Sequence, residues 1–174
     1  MNKVFEVIEA QRIFELDISK FEILIHEKSY VHAIVKFKNG LTKLLIHDTK
    51  MDIPIFNTIN FSSDVKISNK KINFNLLNNL NFSKVDRKKF PNINILKYIT
   101  NKISLFETVL ISANDELVDM YLDNKIKFNE ISSYLYKIIN LKEFTKYKKK
   151  MPKNVNEIDI LNRYVRLKTQ TLCI

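Results

Sequence analysis

One glycine, Gly40, stands in the whole sequence. A dinucleotide-binding turn needs several glycines so that the backbone can approach a pyrophosphate, so no such turn exists within these residues. The one cysteine, Cys173, cannot form an internal disulfide, which fits a reducing compartment. No apolar run approaches the roughly 20 residues of a membrane-spanning helix, and Glu6 and Glu9 interrupt any apolar stretch of a secretory signal. Arginine is scarce as well: of 29 basic residues four are Arg12, Arg87, Arg163 and Arg166, so lysine carries the net charge of +10. Readers of bases and phosphates that need a bidentate fork favour arginine, so the charge does not argue for nucleic-acid binding. The excess of Lys, Asn and Ile is the mark of an AT-biased genome. What remains is a soluble chain of 174 residues, enough for one domain or two small ones.

Patterning predicts an α+β fold. Residues 1 to 15 read as an amphipathic helix offering Val4, Phe5, Ile8 and Ile13 to a core. Residues 21–26 alternate as a half-buried strand, and residues 31–38 and 41–47 form two more, joined by Asn39-Gly40. A two-residue turn there, with Gly40 at positive φ, would pair Phe37 with Thr42, Val35 with Leu44 and His32 with His47. Two histidines side by side read either as a metal pair lacking a third ligand or as a polar pair at the hairpin's open end. Thr49 or Asp52 is placed to cap a short helix carrying Pro54 in its first turn. Residues 60–90, rich in Asn, Ser and Lys with Ile72, Phe74, Leu76 and Leu80 as anchors, read as a linker.

After Pro91 the period is helical. Stripes run through Ile95, Leu96, Ile99 and Ile103; through Val109, Leu110, Ala113, Leu117, Met120 and Tyr121; and through Ile131, Tyr134, Leu135 and Ile138. A fourth starts at Asn154, with Glu157 completing a capping box, and carries Ile158, Leu161, Tyr164 and Val165. The expected architecture is thus a small sheet with a hairpin and flanking helices over 1–59, a linker over 60–90, and a four-helix bundle over 91–174. The lysine-rich stretch from Lys142 to Lys153 reads as a solvated linker between two of those helices.

The candidate chemistry lies at the N-terminus. Asn2, Lys3 and Glu6 fall at i, i+1 and i+4, so Asn2 and Glu6 share a helix face with Lys3 in reach of Glu6. An amide, an ammonium and a carboxylate at a first turn suit a phosphate or oxyanion beside a metal. The same spacing also describes a solvated face with an intrahelical Lys–Glu pair.

The run Met1-Asn2-Lys3, Glu6 and Ile8-Glu9-Ala10, then Phe21 to His26, then Ser29 and His32, resembles the 1-deoxy-D-xylulose 5-phosphate reductoisomerase family of the non-mevalonate isoprenoid pathway. Lys38-Asn39-Gly40, Met51 with Pro54-Ile55, Arg87 to Pro91, Leu110 to Glu116, and Asn124 to Phe128 before Glu130-Ile131 follow in the family's order. The resemblance runs to about residue 170 and identifies residues 1–59 as part of a catalytic domain and 91–174 as the C-terminal helical domain. It implies an NADPH-dependent isomerisation and reduction of a phosphorylated sugar, with Mg²⁺ or Mn²⁺ polarising substrate oxygens. By resemblance Glu6 is the last metal carboxylate, Asn2, Lys3 and Glu6 bind substrate, His32 is an active-site histidine, and Ser29 and Met51 line the cavity. His47 falls where the family usually has no histidine.

The departures are equally specific. The glycine-rich NADPH-binding half, two further metal carboxylates, a Ser-rich segment before Asn2 and a mobile aromatic loop have no counterpart here. The family's Trp-Pro-x-Arg segment is replaced by Asn60 to Asp64, and the start of a late helix has become Leu110 to Asp115. The resemblance therefore implies a chain inactive by itself, completed by a second chain carrying the NADPH-binding half, and homodimeric through the free edge of its sheet. A cytoplasmic location is expected, or an organelle stroma of the plastid type in a eukaryote. The alternatives are a non-catalytic oligomerisation protein that keeps the fold and, more distantly, a basic RNA-binding module.

Overall fold

The computed structural model describes residues 1–60, 65–67 and 72–173. It forms two compact units, one of Met1–Glu22 with Asp86–Ile174 and one of Ile23–Val85. The α+β class expected from the sequence is what is found. The boundaries differ from the expected division at 59/60 and 90/91: the N-terminal helix shares a core with the C-terminal helices, and the stretch 60–90 contributes a strand to the second unit.

In the first unit, α1 spans Asn2–Phe14 and buries Val4, Val7, Ile8 and Gln11, a stripe at i, i+3, i+4 and i+7. Ile13, expected in the core, lies off this stripe and is exposed. Glu15 ends the helix in the left-handed region at φ 52°. A short 3-10 turn, Ile18–Lys20, follows, opened by Asp17, whose carboxylate accepts from the Ser19 amide at 2.8 Å. Those bonds from Ser19 hold the Asp17 carboxyl below its ordinary value.

The stripe after Pro91 is a 3-10 run, Pro91–Tyr98, instead of the expected α-helix. Asn92 and Asn94 are weak helix formers, and the tighter winding still buries Ile95 and Ile99 but leaves Ile103 exposed. Three longer helices complete the unit: α3 at Phe106–Leu122, α4 at Glu130–Ile139 and α6 at Val155–Cys173, with the one-turn α5 at Lys142–Thr145 between the last two. α3 closes with Asn124 at φ 60°, the Lys125 amide donating to the Met120 carbonyl and the Asn124 amide to Tyr121, so that asparagine replaces the usual glycine of this stop. α6 opens as its sequence predicts: Asn154 Oδ1 accepts from the Glu157 amide, while Glu157 reaches back to the amide of Lys153.

Val4, Ile8, Ile95, Val109, Leu117, Leu135, Ile138, Phe144, Leu161 and Val165 belong to one buried cluster. Arg166 on α6 contacts Asp115, Glu116 and Asp119 on α3. The lysine-rich stretch is not a solvated linker. α5 and the 3-10 turn Lys146–Lys149 pack on the helices, with Phe144 fully buried, the Lys150 carbonyl accepting from the Leu105 amide, and Lys148 over the rings of Tyr98 and Phe106.

Among its described residues the second unit holds two small antiparallel sheets. The expected strand over 21–26 contracts to β1, Leu24–Ile25, which pairs with β4, Ser83–Lys84. β2, Val31–Lys36, and β3, Thr42–Ile46, form the hairpin. Its loop has three residues, Lys38-Asn39-Gly40, with Gly40 at φ 87° and the Phe37 amide donating to the Leu41 carbonyl. The ladder therefore runs Lys36 to Thr42, Val35 to Lys43 and Ile34 to Leu44, one residue out of the expected register. α2, Asp52–Ile59, carries Pro54 in its first turn, but Met51 occupies the cap position and neither Thr49 nor Asp52 caps it. Of the Asn60–Asp64 replacement only Asn60 lies within the described residues.

Candidate functional site

α1 puts its apolar stripe inward, which leaves Asn2, Lys3 and Glu6 on the solvent side. Lys3 Nζ lies 2.6 Å from Glu6 Oε2, with the two side chains 61% and 54% exposed. The first turn begins at Met1 with no side-chain cap. An ammonium and a carboxylate thus meet, with an amide on the same exposed face, at a helix start, where free backbone donors favour an anion.

Ser29, His32 and Met51 belong to the second unit. Ser29 closes a turn, donating its amide to the His26 carbonyl at 3.1 Å and taking φ 55°. A non-glycine residue in the left-handed region is uncommon and costs on the order of 1 kcal/mol. His32 is the residue at which β2 bulges, between Val31 and Ala33. Its ring stacks on that of His47, with centroids 3.6 Å apart and planes 3° from parallel. His47 is buried, and its Nδ1 donates to the Asp48 carbonyl at 2.6 Å, which fixes the tautomer at that nitrogen. Met51 is exposed at the start of α2.

The sequence-predicted residues thus gather as two sets, Asn2, Lys3 and Glu6 on α1, and Ser29 with His32 near the start of β2. Unforeseen is a group of polar partners for α1, built from Gln11, Arg12, Asn101 and Glu107. Its only sequence signal is the scarcity of arginine, which makes Arg12 a rare investment in a lysine-rich chain.

Among the described residues no group of three His, Cys, Asp or Glu side chains is placed to hold a metal ion. Glu6 offers one carboxylate, already paired with Lys3, so the residues present do not by themselves fit Mg²⁺ or Mn²⁺. Nor do they fit NADPH, since Gly40 sits in a hairpin loop. No helix among the described residues is long and apolar enough to cross a membrane.

Comparison with known proteins gives a consistent picture. The family model for the DXP reductoisomerase C-terminal domain matches residues 47–167. The 1-deoxy-D-xylulose 5-phosphate reductoisomerase of Pelagibacter ubique is 56% identical over 174 residues, covering 100% of this chain and 45% of that protein. The enzyme of that name from Persephonella marina is 34% identical over 146 residues, 84% of this chain and 39% of its own length. In fold, the chain is similar to the Zymomonas mobilis reductoisomerase solved in complex with NADPH, at TM-score 0.82 and 24% identity over 99% of this chain and 44% of that one. It is also similar to a DOX-P reductoisomerase solved with NADPH, fosmidomycin and magnesium, at TM-score 0.89 and 21% identity over 99% of this chain and 43% of that one. The chain spans less than half the length of these relatives.

Proposed function

Because the chain belongs to the DXP reductoisomerase C-terminal domain family, we propose that it supplies the substrate-facing half of a 1-deoxy-D-xylulose 5-phosphate reductoisomerase site, which residues outside these 174 complete. One observation carries the reading: α1 presents Asn2, Lys3 and Glu6 together on its exposed face, with no side-chain partner among the described residues beyond the Lys3–Glu6 pair. Lys3 supplies positive charge to an anionic sugar phosphate, Asn2 donates its amide, and Glu6 contributes one carboxylate. By the family resemblance Ser29, His32 and Met51, which belong to the second unit, are also read as substrate-facing, the His32 imidazole being suited to hold or move a proton on a substrate oxygen. NADPH and a divalent ion, when bound, would supply hydride and Lewis acidity; apart from the Glu6 carboxylate, their binding groups would come from residues outside these 174.

The reading includes a homodimer. Val35, Phe37, Leu41 and Leu45 share one face of the hairpin and are 43–59% exposed, an apolar surface suited to a second copy. The same surface favours the second reading, a non-catalytic oligomerisation protein. A cytoplasmic location, with no membrane or nucleic-acid partner, completes the proposal.

The purified chain is expected to show no metal-dependent NADPH oxidation with deoxyxylulose phosphate. Mixing it with an NADPH-binding half should restore activity, and Glu6→Gln should abolish it. Activity of the chain alone, or a fully active Glu6→Gln in the mixture, overturns the reading. A stable oligomer that no NADPH-binding half activates favours the non-catalytic alternative, and Leu45→Lys should dissociate the oligomer in either case.

A further inference from the structure

The candidate groups sit at the N-terminal end of α1, but the helix is gripped at its other end. Arg12 donates Nη1 to the Asn101 carbonyl at 3.1 Å, and Nη2 to the carbonyls of Lys102 at 3.1 Å and Thr100 at 3.3 Å and to the Glu107 carboxylate. Three of these acceptors are consecutive backbone carbonyls, and only a planar fork reaches so many from one side chain. Glu107, mostly buried, is held in turn by the Ser104 hydroxyl. Beside it Gln11, 2% exposed, donates Nε2 to Asn101 Oδ1 at 2.8 Å. Asn101 Oδ1 also accepts from the Ile18 amide at 2.9 Å, and its Nδ2 donates to Asp17. One asparagine therefore ties the last turn of α1, the reversal after it and the segment leading into α3.

Gln11 occupies the fourth position of the apolar stripe of α1, where a leucine would pack without polar cost. Its Oε1 is buried with no hydrogen-bond partner among the described residues. A glutamine kept there at that cost is held for its contact with Asn101, not for burial.

We infer that Gln11 and Arg12 are positioning residues: their clasp on residues 100–107 sets the direction of α1 and with it the placement of Asn2, Lys3 and Glu6. This rests on the proposed reading of those three as substrate-facing. From Arg12 to Asn2 the helix is about 15 Å long at 1.5 Å per residue, so a tilt of about 4° displaces Asn2 by about 1 Å. A misplacement of that size at reacting groups costs on the order of 100-fold in rate.

The test compares Arg12→Met and Gln11→Leu with Arg166→Met, which breaks a polar pin between α3 and α6 in the same unit. Hydrogen exchange of the Phe5 to Ile8 amides is followed in the full chain, and kcat and KM are followed after mixing with the NADPH-binding half. Arg12→Met should speed exchange at those amides and lower kcat at least 10-fold while circular dichroism stays native, and Arg12→Lys should remain impaired. Arg166→Met should lower the thermal midpoint and leave both readouts near the parent. Equal responses in the two variants, or unchanged exchange in Arg12→Met, overturn the inference. A Glu6→Gln chain that remains fully active removes the reading beneath it, a result distinguishable because exchange is measured without catalysis.

Discussion

His32 and His47 stack ring on ring across the hairpin although the ladder does not pair them, His32 being the extra residue of a bulge. The three-residue loop moves the ladder one step from the register in which they would pair directly, and the bulge at His32 moves it one step further in the same sense, so that Val31 faces Ile46 and the His47 amide donates to the Tyr30 carbonyl at 3.2 Å. The loop depends on Gly40 at φ 87°, where an added Cβ would meet no atom within 4 Å. Gly40→Ala should therefore cost only the left-handed backbone strain, about 1–2 kcal/mol, and Gly40→Asn less. Faster amide exchange along β2 and β3 in Gly40→Ala, and a smaller effect in Gly40→Asn, are the expected results.

The Lys3–Glu6 pair is more than half exposed at both ends, so it contributes little to folding. Glu6→Gln should change stability by less than about 0.5 kcal/mol, seen as a thermal midpoint close to the parent's. A large loss of stability would show that Glu6 serves the fold, against its proposed role toward substrate.

Phe144 is the point at which the lysine-rich stretch enters the core. Phe144→Ala should cost about 3–5 kcal/mol in chemical denaturation, the toll of a large aromatic removed from close packing. Lys149→Ala, on the solvent side of the same segment, should stay within about 0.5 kcal/mol.

These residues show what the sequence displays and what it hides. The stripes of α1, α3, α4 and α6 are legible because 3.6-residue spacing survives in Val4, Ile8, Leu110, Leu117, Leu135 and Val165. Phe144 was hidden because charge dominates the composition around it, and one buried ring has no period. Gly40 announced a hairpin, but glycine serves both two- and three-residue loops, so it could not fix the register. The exposed helix face shared by Asn2, Lys3 and Glu6, with its Lys3–Glu6 pair, was legible from local spacing. The Arg12 clasp was not, since its partners lie about ninety residues further on.

The link between α5 and α6 is titratable. Tyr164 on α6 donates its hydroxyl to the Glu143 carboxylate on α5, and Lys168 Nζ lies 3.3 Å from the same group. The bond from Tyr164, with the lysine's help, holds the Glu143 carboxyl below its ordinary 4.5. A carboxyl depressed on folding contributes stability above its unfolded value and loses it as pH falls through the folded one. The bond to Glu143 pushes the Tyr164 phenol above its ordinary 10.0, so its contribution is complete below that value and fades as pH rises through the folded one. The pair should therefore stabilise the attachment of α5 to α6 on a plateau between about pH 5 and pH 10. Thermal midpoints of the parent, Glu143→Gln, Tyr164→Phe and the double variant should show coupling between the two sites on that plateau. The coupling should shrink below pH 4.5 and above pH 10; equal coupling at pH 3 and pH 7 would mean that the charge on Glu143 contributes nothing.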